Sequence, residues 1–228
     1  MNGNPSQTSS RSAPKRARIL LVDDHPLVRE RLAEVINREG DLSVCGEAED
    51  RHQAIEAIKT TTPDLVIVDL TLKSSHGLEL IKDVRARWPK LWMLVVSMHD
   101  ESLYAERVIR AGARGYITKQ EATRNILQAI RRVLGGDIYL NERSATKIIT
   151  RLTAKPGPGG GTPADSLADR ELQVFELTGR GCSTRQIAEQ LGIDVKTVET
   201  YRSRIKEKLR LRDSSELLQL AIRWNHTR

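Results

Sequence analysis

The stretch PDLVIVDLTLKSSHG at 63–77 narrows the possible folds more than any other part of the chain. Four consecutive apolar residues, Leu65–Val68, are entered through a proline and end in a carboxylate, Asp69, with Gly77 eight positions further on. An unbroken apolar run rich in β-branched residues reads as a strand buried on both faces, and such strands belong to parallel sheets covered by helices. Asp69 then stands at the strand's carboxyl end. In open α/β sheets ligands bind in the crevice beyond those ends, so an acid there is a candidate for chemistry. An isolated aspartate at that place could equally cap a loop, and its company elsewhere in the chain decides between the two.

A second short apolar run, 19–22, also ends in acids, Asp23 and Asp24. Pro26, tolerated in a first helical turn, opens a helix to about 38, with Leu27, Val28, Leu32, Val35 and Ile36 at helical spacing and Gly40 just beyond it. The alternation then repeats. A strand is expected at 42–48, a helix capped by Asp50 running to 60, the central strand, and a helix from Gly77 that stops before Pro89. A strand at 92–97, a helix at 103–111, a short strand at 115–118 and a helix at 122–134 complete five βα units. This regularity predicts an α/β, five-stranded parallel doubly wound domain with right-handed crossovers.

After a short helix around 141–152 comes KPGPGGGTPADS, whose glycine and proline density rules out a stable element and marks a linker. The remainder of the chain is all helical in pattern, at 171–180, 184–191, 195–209 and 215–224, with Gly181 and Gly192 at the joins. The expected organisation is a disordered Ser, Asn and Gly-rich tail at 1–17, a first domain at 18–136, a linker with its short helix at 137–166, and a smaller all-α helix-turn-helix domain at 167–228.

The net charge of +7 and pI near 9.6 make a polyanion a plausible partner, and the position of the basic residues has to say which kind. Cys45 and Cys182 fall in different domains without a CxxC or a nearby His pair, which argues against a structural disulfide or zinc site. No apolar run reaches the roughly 20 residues of a membrane span and the first residues lack a signal-peptide core, so a cytosolic protein without membrane partners is expected.

Were the first and third strands neighbours, Asp23, Asp24 and Asp69 would crowd one crevice. Like charges at that distance repel unless a cation or proton intervenes. A hard divalent ion held by oxygens is the natural solution, and Mg²⁺ takes few carboxylates, with water and a phosphoryl group completing its shell. The fourth strand ends at Ser97 and the fifth is followed by Lys119, a hydroxyl and an ammonium suited to an anion beside the metal. The set describes a site that receives a phosphoryl group on Asp69 as nucleophile.

Together and in order, DDHP at 23–26, VDLTL around Asp69, Gly77, VVSMHD with Ser97 and GARGYITK ending in Lys119 resemble the receiver domain of bacterial two-component response regulators over 18–136. The resemblance implies a sheet order 2-1-3-4-5, Asp69 as phosphoacceptor charged by a sensor histidine kinase, and Mg²⁺ bound directly by Asp24 and Asp69, by Asp23 through water and by the backbone carbonyl of Thr71. It implies that Lys119 pairs with Asp69 and then with the phosphoryl oxygens, that Ser97 is drawn to that group, and that Tyr116 turns inward as Ser97 moves. Two positions depart from the common pattern. Lys73 stands where the family usually has proline and Gln120 where it often has proline or an acid, which leaves the loop 71–76 room for greater mobility or a different kinase specificity.

In the second domain, a short helix with Ile187, Ala188 and Leu191 inward, a turn at Gly192 and a longer helix behind Asp194 as N-cap make a helix-turn-helix pattern. On the longer helix Val198, Tyr201, Ile205 and Leu209 share one stripe, and the opposite face carries Lys196, Glu199, Thr200 and Ser203, flanked by Arg204 and Lys206. From Lys196 to Arg212 there are seven basic residues against Glu199 and Glu207, so the chain's basic excess is dense where a helix would enter a major groove.

The segment GCSTRQIAEQLGIDVKTVETYRSRIKEKL resembles the LuxR-type DNA-binding domain that follows a receiver in the NarL/FixJ subfamily, over 167–224. It implies base-edge reading by Glu199, Thr200 and Ser203, with Glu199 where relatives often place lysine, and phosphate contacts from Lys196, Thr197, Arg204 and Lys206. Ala168 replaces a common capping Thr or Ser, a loss of about 1 kcal/mol unless Ser166 or Asp169 caps instead.

The expectation is a phosphorylation-gated transcription factor and not an enzyme, with double-stranded DNA as target, a homodimer when phosphorylated, and RNA polymerase as a further partner the resemblance allows. An aspartyl-phosphate hydrolase would usually carry a second Asp where Thr71 stands. A protein-binding adaptor whose helical domain never touches DNA is the remaining alternative.

Overall fold

The computed structural model describes residues 16–73, 75–153 and 166–226. The tail expected at 1–17 and the glycine-rich linker lie almost wholly outside the described residues.

Five strands, β1 (Ala17–Val22), β2 (Leu42–Ala48), β3 (Leu65–Val68), β6 (Trp92–Ser97) and β7 (Gly115–Thr118), form one sheet in the order β2-β1-β3-β6-β7. Every pairing is parallel. Each strand is apolar on both faces because each is covered twice. Ile19 and Leu21 of β1 face the layer built by Leu32 and Ile36 of α1 (Pro26–Asn37) and Ile126 and Ile130 of α5 (Lys119–Leu134). Leu20 and Val22 face the layer built by α2 (Arg51–Thr61), α3 (Gly77–Arg87) and α4 (Glu101–Ala111). A fully buried Leu or Ile contributes about 1.5–3 kcal/mol, so a change of face along this strand is heavily penalised.

Two features differ from the sequence reading. A two-residue hairpin, β4 (Thr71–Leu72) with β5 (Ser75–His76), follows the central strand in the loop that carries Lys73. Helix α5 starts at Lys119, three residues early, because Thr118 and Glu121 cap each other's backbone N–H groups in a capping box.

Helix α6 (Glu142–Thr153) precedes the second domain, which comprises α7 (Asp169–Gly179), α8 (Thr184–Leu191), α9 (Val195–Leu209) and α10 (Ser214–His226). Its core is Leu172, Phe175, Ile187, Val198, Ile205 and Ala221, and the apolar layer beneath α2–α4 runs into it without a break. Ser183 and Gln186 form a capping box at the start of α8, and Gly192, at φ 61, takes the left-handed turn into α9. Asp194 occupies the N-cap position of α9 but makes no side-chain capping bond. Ala168 itself holds the N-cap position of α7, and its N–H is taken by Glu171 at 2.8 Å. Asp169 is committed elsewhere, to Lys82 at 3.0 Å on α3 and Arg107 at 2.9 Å on α4. Among the described residues no helix is long and apolar enough to cross a membrane.

Candidate functional site

The register of the sheet builds the first site. Val22 of β1 lies opposite Val68 of β3, and the Asp69 N–H reaches back to the Val22 carbonyl at 2.8 Å, so Asp23 and Asp69 leave the sheet side by side. Both are buried. Gly77 permits this approach: a Cβ there would stand 2.0 Å from the Asp69 carbonyl oxygen, so no other residue fits beside the acid.

Lys119, at the first position of α5, reaches into the same crevice. Its Nζ lies 2.8 Å from Asp69 Oδ2 and 2.6 Å from Asp23 Oδ2. Burial works against the ammonium's charge, but Asp69 and Asp23 outweigh it and raise its pKa. For Asp69, burial pushes the carboxyl pKa up, the Lys119 charge pulls it down, and Asp23 adds to the push. Asp24 stands beside them, half-buried, with His25 Nδ1 at 2.6 Å from Asp24 Oδ1 and 3.1 Å from Asp23 Oδ1.

Three carboxylates therefore face one ammonium. Asp69 Oδ1 is buried with no hydrogen-bond partner, which is costly for an anionic oxygen. Donor atoms of Asp23, Asp24, His25 and Asp69 all lie within 4.8 Å of one another. An oxygen-rich, net negative pocket with an orphaned carboxylate oxygen fits a hard divalent cation.

Ser97 is fully buried at the end of β6, opposite Thr118 in the β6–β7 register. Tyr116 is fully buried too, its hydroxyl donating to the His99 carbonyl at 2.9 Å, so its ring is already turned inward in this structure. Thr71 stands on β4, its Oγ1 3.2 Å from His99 Nε2. Sequence reasoning passed over His25 and His99. Only the folded chain brings them to the acids and to Thr71, although both lie within two residues of positions that were singled out.

The second site is the outer face of α9. Lys196, Glu199, Thr200, Ser203 and Arg204 are exposed, and Thr197 and Lys206 half-buried. Among the described residues no ion pair engages Lys196, Arg204 or Lys206, whereas Lys208 is tied to Glu171 of α7 at 2.6 Å. Thr200 Oγ1 donates to the Lys196 carbonyl at 2.9 Å, which leaves its oxygen to accept. The docked second domain touches the first through α7, so this face stays open to solvent.

Two family models match the chain. Residues 19–131 match the family described as "Response regulator receiver domain" and residues 165–221 the one described as "Bacterial regulatory proteins, luxR family". The chain is 38% identical over 205 residues to the transcriptional activator protein ExaE of Pseudomonas putida, an alignment covering 90% of this chain and 95% of ExaE. It is 30% identical over 210 residues to the oxygen regulatory protein NreC of Staphylococcus carnosus, covering 90% of this chain and 97% of NreC. In fold it is similar to RcsB from Salmonella enterica serovar Typhimurium bound to promoter rprA in the presence of phosphomimetic BeF3-, with a TM-score of 0.60, 23% identity, and coverage of 91% of this chain and 98% of that one.

Proposed function

Because the chain belongs to the bacterial response regulators that join a receiver domain to a LuxR-type DNA-binding domain, we propose that Asp69 is its phosphoacceptor and that phosphorylation there controls how α9 engages DNA. The observation that carries this reading is the bifurcated clasp of Lys119 on Asp69 and Asp23 beside the unpartnered Asp69 Oδ1.

In this reading a sensor histidine kinase supplies the phosphoryl group. The bond from phosphorus to the kinase imidazole breaks as a bond forms to a carboxylate oxygen of Asp69, and the imidazole leaves with its electron pair. Asp24 and Asp69 would hold Mg²⁺ directly, Asp23 through water, and the Thr71 carbonyl would complete the protein's ligands. When bound, the cation supplies neutralisation of the charge that gathers on the transferring group. Lys119 would pass from Asp69 to the phosphoryl oxygens and Ser97 would donate its hydroxyl to them. Tyr116, already inward, would then hold the shifted arrangement.

On α9, Glu199, Thr200 and Ser203 are the proposed base readers. Lys196, Thr197, Arg204 and Lys206 are the proposed phosphate contacts that set affinity and register. The proposed units are a receiver at 18–136 and a DNA-binding domain at 167–228, acting in the cytoplasm. A homodimer would place two α9 helices on adjacent half-sites. The test is intact-mass measurement after incubation with acetyl phosphate and Mg²⁺. The wild-type chain should gain one phosphoryl group and Asp69→Asn none, and equal gain by both would refute the assignment.

A further inference from the structure

We infer that Glu176, carried by the DNA-binding domain, is a positioning residue for the phosphoacceptor site and acts through His99 on Thr71; this rests on the reading of Asp69 above. Glu176 is 3% exposed although it sits on α7, outside the core of its own domain's helix-turn-helix pair. Its carboxylate is buried against the first domain. It accepts from the Tyr104 hydroxyl of α4 at 3.3 Å, lies 3.4 Å from His99 Nδ1, and holds Arg180 at 2.6 Å.

Nδ1 of His99 faces the Glu176 carboxylate, and Nε2 of the same ring lies 3.2 Å from Thr71 Oγ1, so the ring bridges the two. The ring is fixed from a third side by Tyr104, centroid to centroid 4.8 Å. The backbone of the same histidine touches the other two moving parts of the site. Its N–H reaches Ser97 Oγ at 3.4 Å, and its carbonyl accepts from Tyr116 at 2.9 Å. His99 is thus in contact with Ser97, Tyr116 and Thr71 on the receiver side and with Glu176 on the other. A residue of the second domain touches the ring that meets Thr71, two positions from Asp69.

The docked arrangement leaves the α9 face exposed, so docking does not act by covering the DNA reader. It acts on the acceptor. A shift of Ser97 toward a phosphoryl group disturbs the His99 backbone, and with it the ring's contact with Glu176. By linkage, a contact that phosphorylation weakens must itself oppose phosphorylation by the same factor.

The experiment measures the equilibrium affinity for beryllofluoride, with Mg²⁺, of four full-length chains: wild type, Glu176→Gln, Thr71→Val and the double variant. Glu176→Gln keeps the side chain's size, and Thr71→Val keeps the backbone carbonyl. Glu176→Gln is expected to raise the affinity about fivefold, the scale of a modest coupling between sites. In the Thr71→Val background the same change should shift the affinity less than twofold, because the hydroxyl through which Glu176 acts is gone. A Glu176→Gln affinity equal to wild type overturns the inference. So does an effect of the same size with and without the Thr71 hydroxyl, the result expected of a merely structural role. A wild-type chain that binds no beryllofluoride at all would overturn the reading of Asp69 itself, and this inference with it.

Discussion

The Nζ of Lys119 stands 2.8 Å from Asp69 Oδ2 and 2.6 Å from Asp23 Oδ2, so one ammonium serves two buried carboxylates while Asp24 stands half-buried beside them. The pocket is short of positive charge by construction, and a divalent cation that binds only the folded chain must stabilise it. At about 100 times its Kd the gain is about 2.7 kcal/mol. Thermal unfolding with and without Mg²⁺ should show a rise in Tm for the wild type. Asp24→Asn, which removes a proposed ligand from outside the Lys119 clasp, should lose most of that rise.

Removing Lys119 leaves two buried carboxylates facing each other. Lys119→Ala should destabilise by about 3–5 kcal/mol, the usual result of deleting one partner of a buried pair. Urea unfolding measures it. Added Mg²⁺ should restore part of the loss in the variant and raise its midpoint more than that of the wild type.

Gly77→Ala should be poorly tolerated, since its Cβ would meet the Asp69 carbonyl oxygen at 2.0 Å and the strand exit would have to move. Overpacking of this kind costs about 1–3 kcal/mol or more. The unfolding midpoint should fall, and phosphoryl uptake should slow, because the displaced backbone is that of the proposed acceptor.

His76 gives a pH dependence of definite sign. Its Nδ1 accepts the Leu78 N–H at 2.9 Å at the start of α3, and burial, then the charge of Arg170, hold its pKa down to about 3. The unfolded chain takes up this proton near the ordinary value of 6.5 and the folded chain does not. The contribution of His76 is therefore intact above about pH 6.5 and is lost progressively as pH falls from there toward 3. In proton–carbon NMR titration the His76 ring should remain neutral at pH 5, and His76→Asn should flatten the fall in stability between pH 6.5 and 5.

Much of this was legible in the residues and some was not. The strands could be read because burial on both faces leaves unbroken apolar runs, and the acids at their ends mark the mouth of the pocket. The outer face of α9 was readable for the same kind of reason, since helical periodicity separates Val198 and Ile205 from Lys196 and Ser203. The hairpin at 71–76 was not, because two-residue strands have no periodicity to detect. Nor did Asp194 behave as its residue type suggested, since a good capping residue need not make the bond. His99 and Glu176 were beyond reach: their significance lies in a contact between residues 77 positions apart, and pattern along the chain carries no trace of it.

For DNA binding, the proposed phosphate contacts and the proposed base readers should separate in their effects. Arg204→Ala or Lys196→Ala should weaken binding to all duplexes alike and reduce the slope of log affinity against log salt by about 1. Glu199→Gln should change the preference at one base pair by about 1–3 kcal/mol while leaving the salt slope nearly as it was. Fluorescence anisotropy over a salt series distinguishes the two classes.

In the proposed function the state of Asp69 sets the affinity of α9 for DNA. Duplex affinity measured with Mg²⁺, with and without beryllofluoride, on the wild type and on Asp69→Asn tests it most directly. Beryllofluoride should shift the wild-type dissociation constant by about fivefold or more and leave Asp69→Asn unmoved. A wild-type affinity indifferent to beryllofluoride at saturating Mg²⁺, or an equal shift in both chains, would contradict it.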